Sequence, residues 1–241
     1  LYDMSYFYMP VSLSIIVEFL NPLRDNLKDS LAYLIAKGIL SRTQNHQGTK
    51  YTFYNKFLKN YLYRSIDEKV RFEKHVKIAQ ILMSYNKKVQ GEYIDEIIYN
   101  LEKVKDKRIL EFYKSREKEL ESLNKIEESI KFNFKILNFI QENKDSAKLR
   151  KEEIAVNMRL GELYNKVAEK KTSIDYYLYA KNLCNKEKYI NEYIDILREI
   201  LFLSIDLGYE KYVTKYLKEM RAAVEKSDYR IGKIKYLLII K

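Results

Sequence analysis

Residues 154 to 187, IAVNMRLGELYNKVAEKKTSIDYYLYAKNLCNKE, constrain this chain more than any other stretch, because two helical stripes follow each other there with almost no room for a loop. Val156, Leu160, Leu163, Tyr164 and Val167 share one helical face, and Gly161 beside them leaves space for a neighbouring helix. A second helix begins near Thr172 and buries Ile174, Tyr177 and Leu178. Small Ser173 and Ala180 stand where two helices would cross most closely. Two such helices form an antiparallel hairpin, which buries its apolar sides by stacking on further hairpins or by closing into a plain helical bundle.

The spacing resembles the tetratricopeptide repeat, whose signature sets Leu-Gly and Tyr on the first helix and a small residue, an aromatic and Ala on the second. Leu160, Gly161, Tyr164, Ser173, Tyr177 and Ala180 match it, whereas Asn157 replaces the Trp and Asn185 the closing Pro. The segment from Ser129, SIKFNFKIL, repeats the order of SIDYYLYAK from Ser173, at a distance of 44 residues. The family's usual period is about 34, and the excess is placed in a polar turn from Gln141 to Ser146. A weaker third copy is Leu207-Gly208-Tyr209-Glu210-Lys211-Tyr212-Val213, with Tyr212 at the small site.

Upstream, Leu13, Ile16, Val17 and Leu20 form one helical face, and Pro22 can open a helix from Leu23 to Lys37 that repeats Leu27, Leu31, Leu34 and Ile35. Gly38 suits a left-handed cap. Ile39 to Arg42, a polar tip from Thr43 to Thr49, and Tyr51-Thr52-Phe53 read as a hairpin of strands. Helix, helix, hairpin is the order of a winged-helix domain, in which residues 23 to 37 would enter DNA. That helix carries Arg24, Lys28 and Lys37, but also Asp25 and Asp29, whose charges oppose phosphate.

Further on, Asp67 is an N-cap for a helix carrying Val70, His75, Ile78, Ile81 and Leu82, and Gly91 follows its end. Ile94, Ile97, Ile98 and Leu101, then Ile109, Phe112, Tyr113 and Leu120, then Ile126, Ile130, Phe134 and Leu137, read as successive antiparallel helices. Tyr51, Phe53, Tyr63, Arg71 and His75 sit in a phrase similar to the segment that follows the ATPase core in bacterial signal-transduction NTPases of the STAND class. That resemblance covers roughly residues 11 to 142. It implies a regulatory segment downstream of a nucleotide-binding domain, with a winged helix leading into repeats.

Composition narrows the functional classes. The formal charge of +11 invites nucleic acid or an acidic membrane, but it divides as +4, +4 and +3 over residues 1–66, 67–151 and 152–241, with no phosphate-binding stripe. Only 6 Gly and 2 Pro predict long helices with short turns, and the 23 Tyr serve mainly as core. Cys184, the single cysteine, excludes an internal disulfide and is expected to be an inert, buried thiol in a reducing compartment. No window approaches the roughly 18 apolar residues of a membrane helix, so a cytoplasmic location and no membrane partner are expected. The start at Leu1 and the apolar end Leu237-Leu238-Ile239-Ile240-Lys241 suggest a piece of a longer protein.

No phosphate-binding G-x-x-x-x-G-K-[ST] loop occurs, His46 and His75 have no ligand partners at metal spacing, and no nucleophile arrangement is visible. The expectation is a mainly α chain: a small winged-helix domain at 1–66, then an α-solenoid of tetratricopeptide-like hairpins at 67–241, with no catalytic residue, cofactor or metal. Stacked hairpins offer a concave face lined by first helices. Met158, Glu162, Asn165, Lys166, Arg198 and Phe202 are the candidate groove residues for a protein or peptide partner, or for other domains of the same chain. The alternative is a DNA-binding transcription factor contacting DNA through Arg24, Lys28, Lys50 and the wing around His46.

Overall fold

The computed structural model describes residues 1–20, 26–45, 48–86, 91–143, 147–185, 188–227 and 230–239. Arg24 and His46, and with them the start of the expected 23–37 helix and the tip of the hairpin, lie outside these residues. The chain is mainly α and divides into two compact units, Leu1–Phe112 and Tyr113–Lys241. The boundary expected at 66/67 falls within the first unit, because the long helix after it packs on the helix Leu13–Leu20 and the 3-10 turn that precede it.

In the first unit a 3-10 turn (Tyr2–Tyr6) leads to β1 (Val11–Ser12), α1 (Leu13–Leu20), α2 (Leu27–Ala36), β2 (Leu40–Asn45), β3 (Gly48–Phe53), α3 (Lys56–Arg64), α4 (Glu68–Asn86) and α5 (Ile94–Val104). The strands form one antiparallel sheet in the order β1-β3-β2, with Leu40 opposite Phe53 and Val11 opposite Tyr51. The hairpin is longer than its sequence suggested, since Thr43 to Asn45 and Gly48 to Thr49 pair instead of forming a polar tip. Helix α1 buries Ile15, Ile16 and Phe19 rather than the face through Leu13, Val17 and Leu20. Its C-terminal Phe19 carbonyl accepts from Lys77 Nζ of α4 at 2.6 Å. Side chains start the next helices: Asn55 accepts from the Phe57 amide at 2.8 Å, and Asp67, the expected N-cap, from the Lys69 amide at 2.9 Å.

Helix α6 (Ile109–Ser122) leads into the second unit, followed by α7 (Ile126–Glu142), α8 (Ala147–Lys166), α9 (Lys170–Leu183), α10 (Ile190–Asp206), α11 (Glu210–Glu225) and α12 (Arg230–Ile239). Helix α8 packs on both α7 and α9, and α10 on both α9 and α11, the neighbour-to-neighbour stacking of an α-solenoid. Three hairpin turns are built alike. Asn124, Ala168 and Gly208 each adopt a left-handed backbone, with φ of 56°, 64° and 69°. The next residue's amide reaches back five residues, from Lys125 to Leu120, Glu169 to Tyr164 and Tyr209 to Ser204, at 2.9, 2.9 and 2.8 Å. This is the Schellman closure of a helix end.

That shared turn fixes the register. Ser129, Ser173 and Val213 each stand four residues after the turn residue that caps α7, α9 or α11, so the third small site falls to Val213 and not to Tyr212. The extra length of the repeat is also helical: Gln141 and Glu142 complete α7, and α8 runs for 20 residues.

Candidate interaction surface

The α8–α9 seam shows why the signature residues are needed. A Cβ at Gly161 would lie 2.6 Å from Tyr177 Cε2, so only a bare backbone lets that ring lie across α8. Ser173 Oγ donates to the Gly161 carbonyl at 2.6 Å, and Ala180 is fully buried on the same side. Leu160 and Leu163 close the interior. Val167 and Phe134, read as core from their spacing, are 39% and 36% exposed, because Val167 lies past the end of α8 in the turn and Phe134 near the margin of the apolar stripe of α7.

The preceding hairpin solves the crossing differently. Forty-four residues before Gly161 stands Glu117, a buried carboxylate. Its Oε1 accepts from Ser129 Oγ at 2.7 Å, Asn133 Nδ2 at 3.2 Å and Arg159 Nε at 3.1 Å. At this crossing a carboxylate and its donors occupy the seam that Gly161 and the Tyr177 ring occupy between α8 and α9.

Arg159 is the residue the sequence reading missed. Besides Glu117 it pairs with Glu121 of α6 and, at 2.7 Å, with Glu162 of α8. Lys166 reaches the same Glu121 at 3.0 Å. Arg159 and Lys166 hold the Glu121 carboxyl down at about 2, well below the usual carboxylate range. Arg159, Glu162 and Lys166, at i, i+3 and i+7, form one stripe on α8, and two of the three were expected in the groove. The signal for the third lay in the 44-residue offset, which brings acidic α6 positions beside basic α8 positions.

Of the other expected groove residues, Asn165 is exposed, and Met158 is half-buried against the core formed by α8 to α11. On α10, Arg198 pairs with its neighbour Glu199 and lies 5.9 Å from the centre of the Phe202 ring. Phe202 is 45% exposed and Ile205, one turn on, 50%, so an apolar ledge follows the charged stripe of α8. The structure therefore groups Glu162 with Lys166, and Arg198 with Phe202, on the first helices of successive hairpins.

The two basic side chains of the alternative site that are described differ in availability. Lys28 is exposed on α2, whereas Lys50 on β3 is paired with Glu92 at 2.7 Å and lies over the Tyr93 ring. A polar cluster occupies the interior of this unit. His75 Nδ1 meets Asn100 Oδ1 at 2.7 Å, and because Asn100 Nδ2 donates to the Glu96 carbonyl and carboxylate, the ring must be the donor there. Nε2 then accepts from the Tyr63 hydroxyl at 2.8 Å. Glu96 accepts from the amides of Tyr8 and Met9 at 2.9 and 2.6 Å, pinning the N-terminal segment. Burial pushes His75 below its usual pKa and lifts Glu96 to about 7 despite those donors. Tyr63, Arg71 and His75 thus form a packed cluster, with the Arg71 guanidinium 5.0 Å from the Tyr63 ring centre.

Among the described residues no three of His, Cys, Asp and Glu gather in a way that could hold a metal, and no helix is long and apolar enough to cross a membrane. Cys184 is half-buried, and burial raises its thiol to about 11, which keeps it protonated. A hollow of about 680 Å³ at the start of α11 has Lys171 and Lys211 set against Asp175 and Glu210, so it favours no charge class.

No protein-family model matches the chain, and no curated protein matches it in sequence. Solved structures of tetratricopeptide-like repeat proteins are similar to it. One is a putative kinesin light chain from Podosopora anserina with nearly identical TPR-like repeats, at 11% identity and a TM-score of 0.45, covering 66% of this chain and 77% of that one. A single-substitution form of the same protein gives 12% and 0.44, covering 65% and 77%. The third is a signal transduction ATPase with numerous domains and a tetratricopeptide repeat sensor from Pyrococcus horikoshii. It is 11% identical with a TM-score of 0.29, and the match covers 99% of this chain but 50% of that one.

Proposed function

We propose that this chain is a non-catalytic protein-interaction and regulatory segment of a larger cytoplasmic bacterial signalling or transcription-regulating protein. Its tetratricopeptide-like hairpins would bind a peptide or a neighbouring domain on the concave side lined by α6, α8 and α10. The observation that carries this reading is the pairing of a charged stripe (Arg159, Glu162, Lys166) with an exposed apolar ledge (Phe202, Ile205) on consecutive first helices. Apolar side chains that stay half-exposed beside ordered charges are the composition of an interface core and rim. Occupation of that side would favour one arrangement of the stacked hairpins and so bias the parent protein between resting and active states.

Pull-down with the 241-residue chain against the host lysate and against separately expressed domains of the parent protein tests it. A partner retained at moderate salt and lost on Phe202→Glu is expected. Retention of no partner across several salt concentrations, or retention indifferent to that substitution, overturns it.

The alternative, DNA contact through a winged helix formed by α2 and the β2–β3 hairpin, has Lys28 in its favour, while Lys50 is engaged by Glu92. If it holds, affinity for duplex DNA falls steeply with salt and collapses in Lys28→Glu.

A further inference from the structure

A second hollow, of about 420 Å³, opens between α7, α8 and α9 and is lined in part by Phe134, Tyr176, Tyr179, Glu153, Asn157 and Asp175. On α8, Glu153 and Asn157 lie about 40° apart around the helix axis, and Met158, Glu162 and Asn165 lie roughly 80–140° further round. The hollow is therefore separate from the face discussed above, and its occupant is independent of that reading. Its size falls within the range of about 300–1,000 Å³ typical of small-ligand sites.

Its chemistry points to one class of occupant. Tyr176 is stacked on Tyr164 with centroids 5.2 Å apart and planes 5° from parallel, and meets Phe134 edge-on at 6.3 Å. One wall is thus fixed before anything binds. Phe134 and Tyr179 leave 36% and 50% of their surface to solvent, more than a core needs. Glu153 and Asp175 add negative charge. Arg150 donates to Glu153 from 3.2 Å, leaving that carboxylate further acceptor capacity. Asn157 stands where the resembled repeat carries a Trp. Its Nδ2 donates to the Glu153 carbonyl at 2.7 Å, which fixes the orientation of an amide whose oxygen can accept from an occupant. Asn138 and Gln141 complete the polar lining with amides whose oxygens can accept. Aromatic faces, two carboxylates and amide oxygens, with no Lys or Arg among the lining residues, are surroundings that a cationic side chain selects.

We propose that this hollow binds the lysine or arginine side chain of a basic peptide, with the cation over the Tyr176 and Tyr179 rings and its N–H groups directed to Asp175 and Asn157. The test titrates the full chain with acetyl-Ala-Ala-Lys-Ala-Ala-amide, its arginine counterpart and its norleucine counterpart, following amide shifts by NMR. Low-millimolar binding of the cationic peptides is expected, with the norleucine peptide at least about tenfold weaker. The double variant Tyr179→Ala, Asp175→Asn, with its fold checked by circular dichroism, should lose at least about tenfold, and Tyr33→Ala on the other unit should lose nothing. Equal or tighter binding of the norleucine peptide, affinity unchanged in the double variant, or no shift with any peptide at tens of millimolar each overturns the proposal, and none of these results bears on the Phe202 face.

Discussion

Gly161 shows how one missing methyl group sets a helix crossing. Its Cβ-free surface receives the Tyr177 ring, which is 2% exposed and has no space into which to withdraw. Gly161→Ala gains about 1 kcal/mol of helix propensity but forces the ring or the helix aside, at about 1–3 kcal/mol. A net loss of stability, read as a lower urea midpoint, is expected. Ser173→Ala, which removes the 2.6 Å bond to the Gly161 carbonyl, should cost about 1 kcal/mol. Glu96 gives a prediction in pH. Its pKa is raised from 4.5 to about 7 in the folded chain by burial, so its stabilising share is fully present below pH 4.5 and is lost as the pH rises through 7. His75 works in the opposite direction, being kept neutral, and Glu96→Gln leaves it in place. Relative to Glu96→Gln, the natural chain should lose on the order of 3 kcal/mol between about pH 4.5 and 8; parallel stability curves over that range would contradict the assignment.

Helices and turns were unequally legible. The stripes of α4, α5 and α9 were readable because apolar residues recur at helical spacing, and Asp67 announced α4 by its ability to cap. Register was harder. Gly208, expected only as part of a weaker third copy, closes the α10–α11 turn, because a glycine serves a close crossing and a left-handed turn equally well and sequence does not say which. The turn itself hides at Ala168, whose side chain does not advertise a positive φ, whereas Asn124 is of a type that tolerates one. Ala168→Gly should therefore stabilise the second unit by up to about 1 kcal/mol, while Gly208→Ala should destabilise it by a similar amount. Thermal denaturation of the two variants measures both. Of the candidate groove residues, Glu162 and Lys166 were named from the first-helix face of the resembled repeat, whereas Arg159 and its carboxylates come from two helices that only the fold brings together.

At the scale of the whole chain, the two compact units have separate chemistries at their centres: a polar cluster around His75 and Glu96 in the first, and Tyr and Leu seams around Gly161 in the second. Unfolding should not reduce to one cooperative step. Gly161→Ala is expected to move the transition of the second unit and Glu96→Gln that of the first, and calorimetry in which both variants shift one common peak would refute this. Within the second unit, Glu117 has a consequence of its own. Where a tyrosine ring lies on bare backbone between α8 and α9, α6 and α7 are joined by a buried carboxylate, serine and asparagine with an arginine from α8, a polar joint that holds less firmly than apolar packing of similar volume. Amide protons of α6 and α7 should accordingly exchange with deuterium sooner than those of α8 and α9. The stack is then expected to be more pliant at its α6–α7 end than at the α8–α9 hairpin, so that a load passed along it would be taken up first at Glu117.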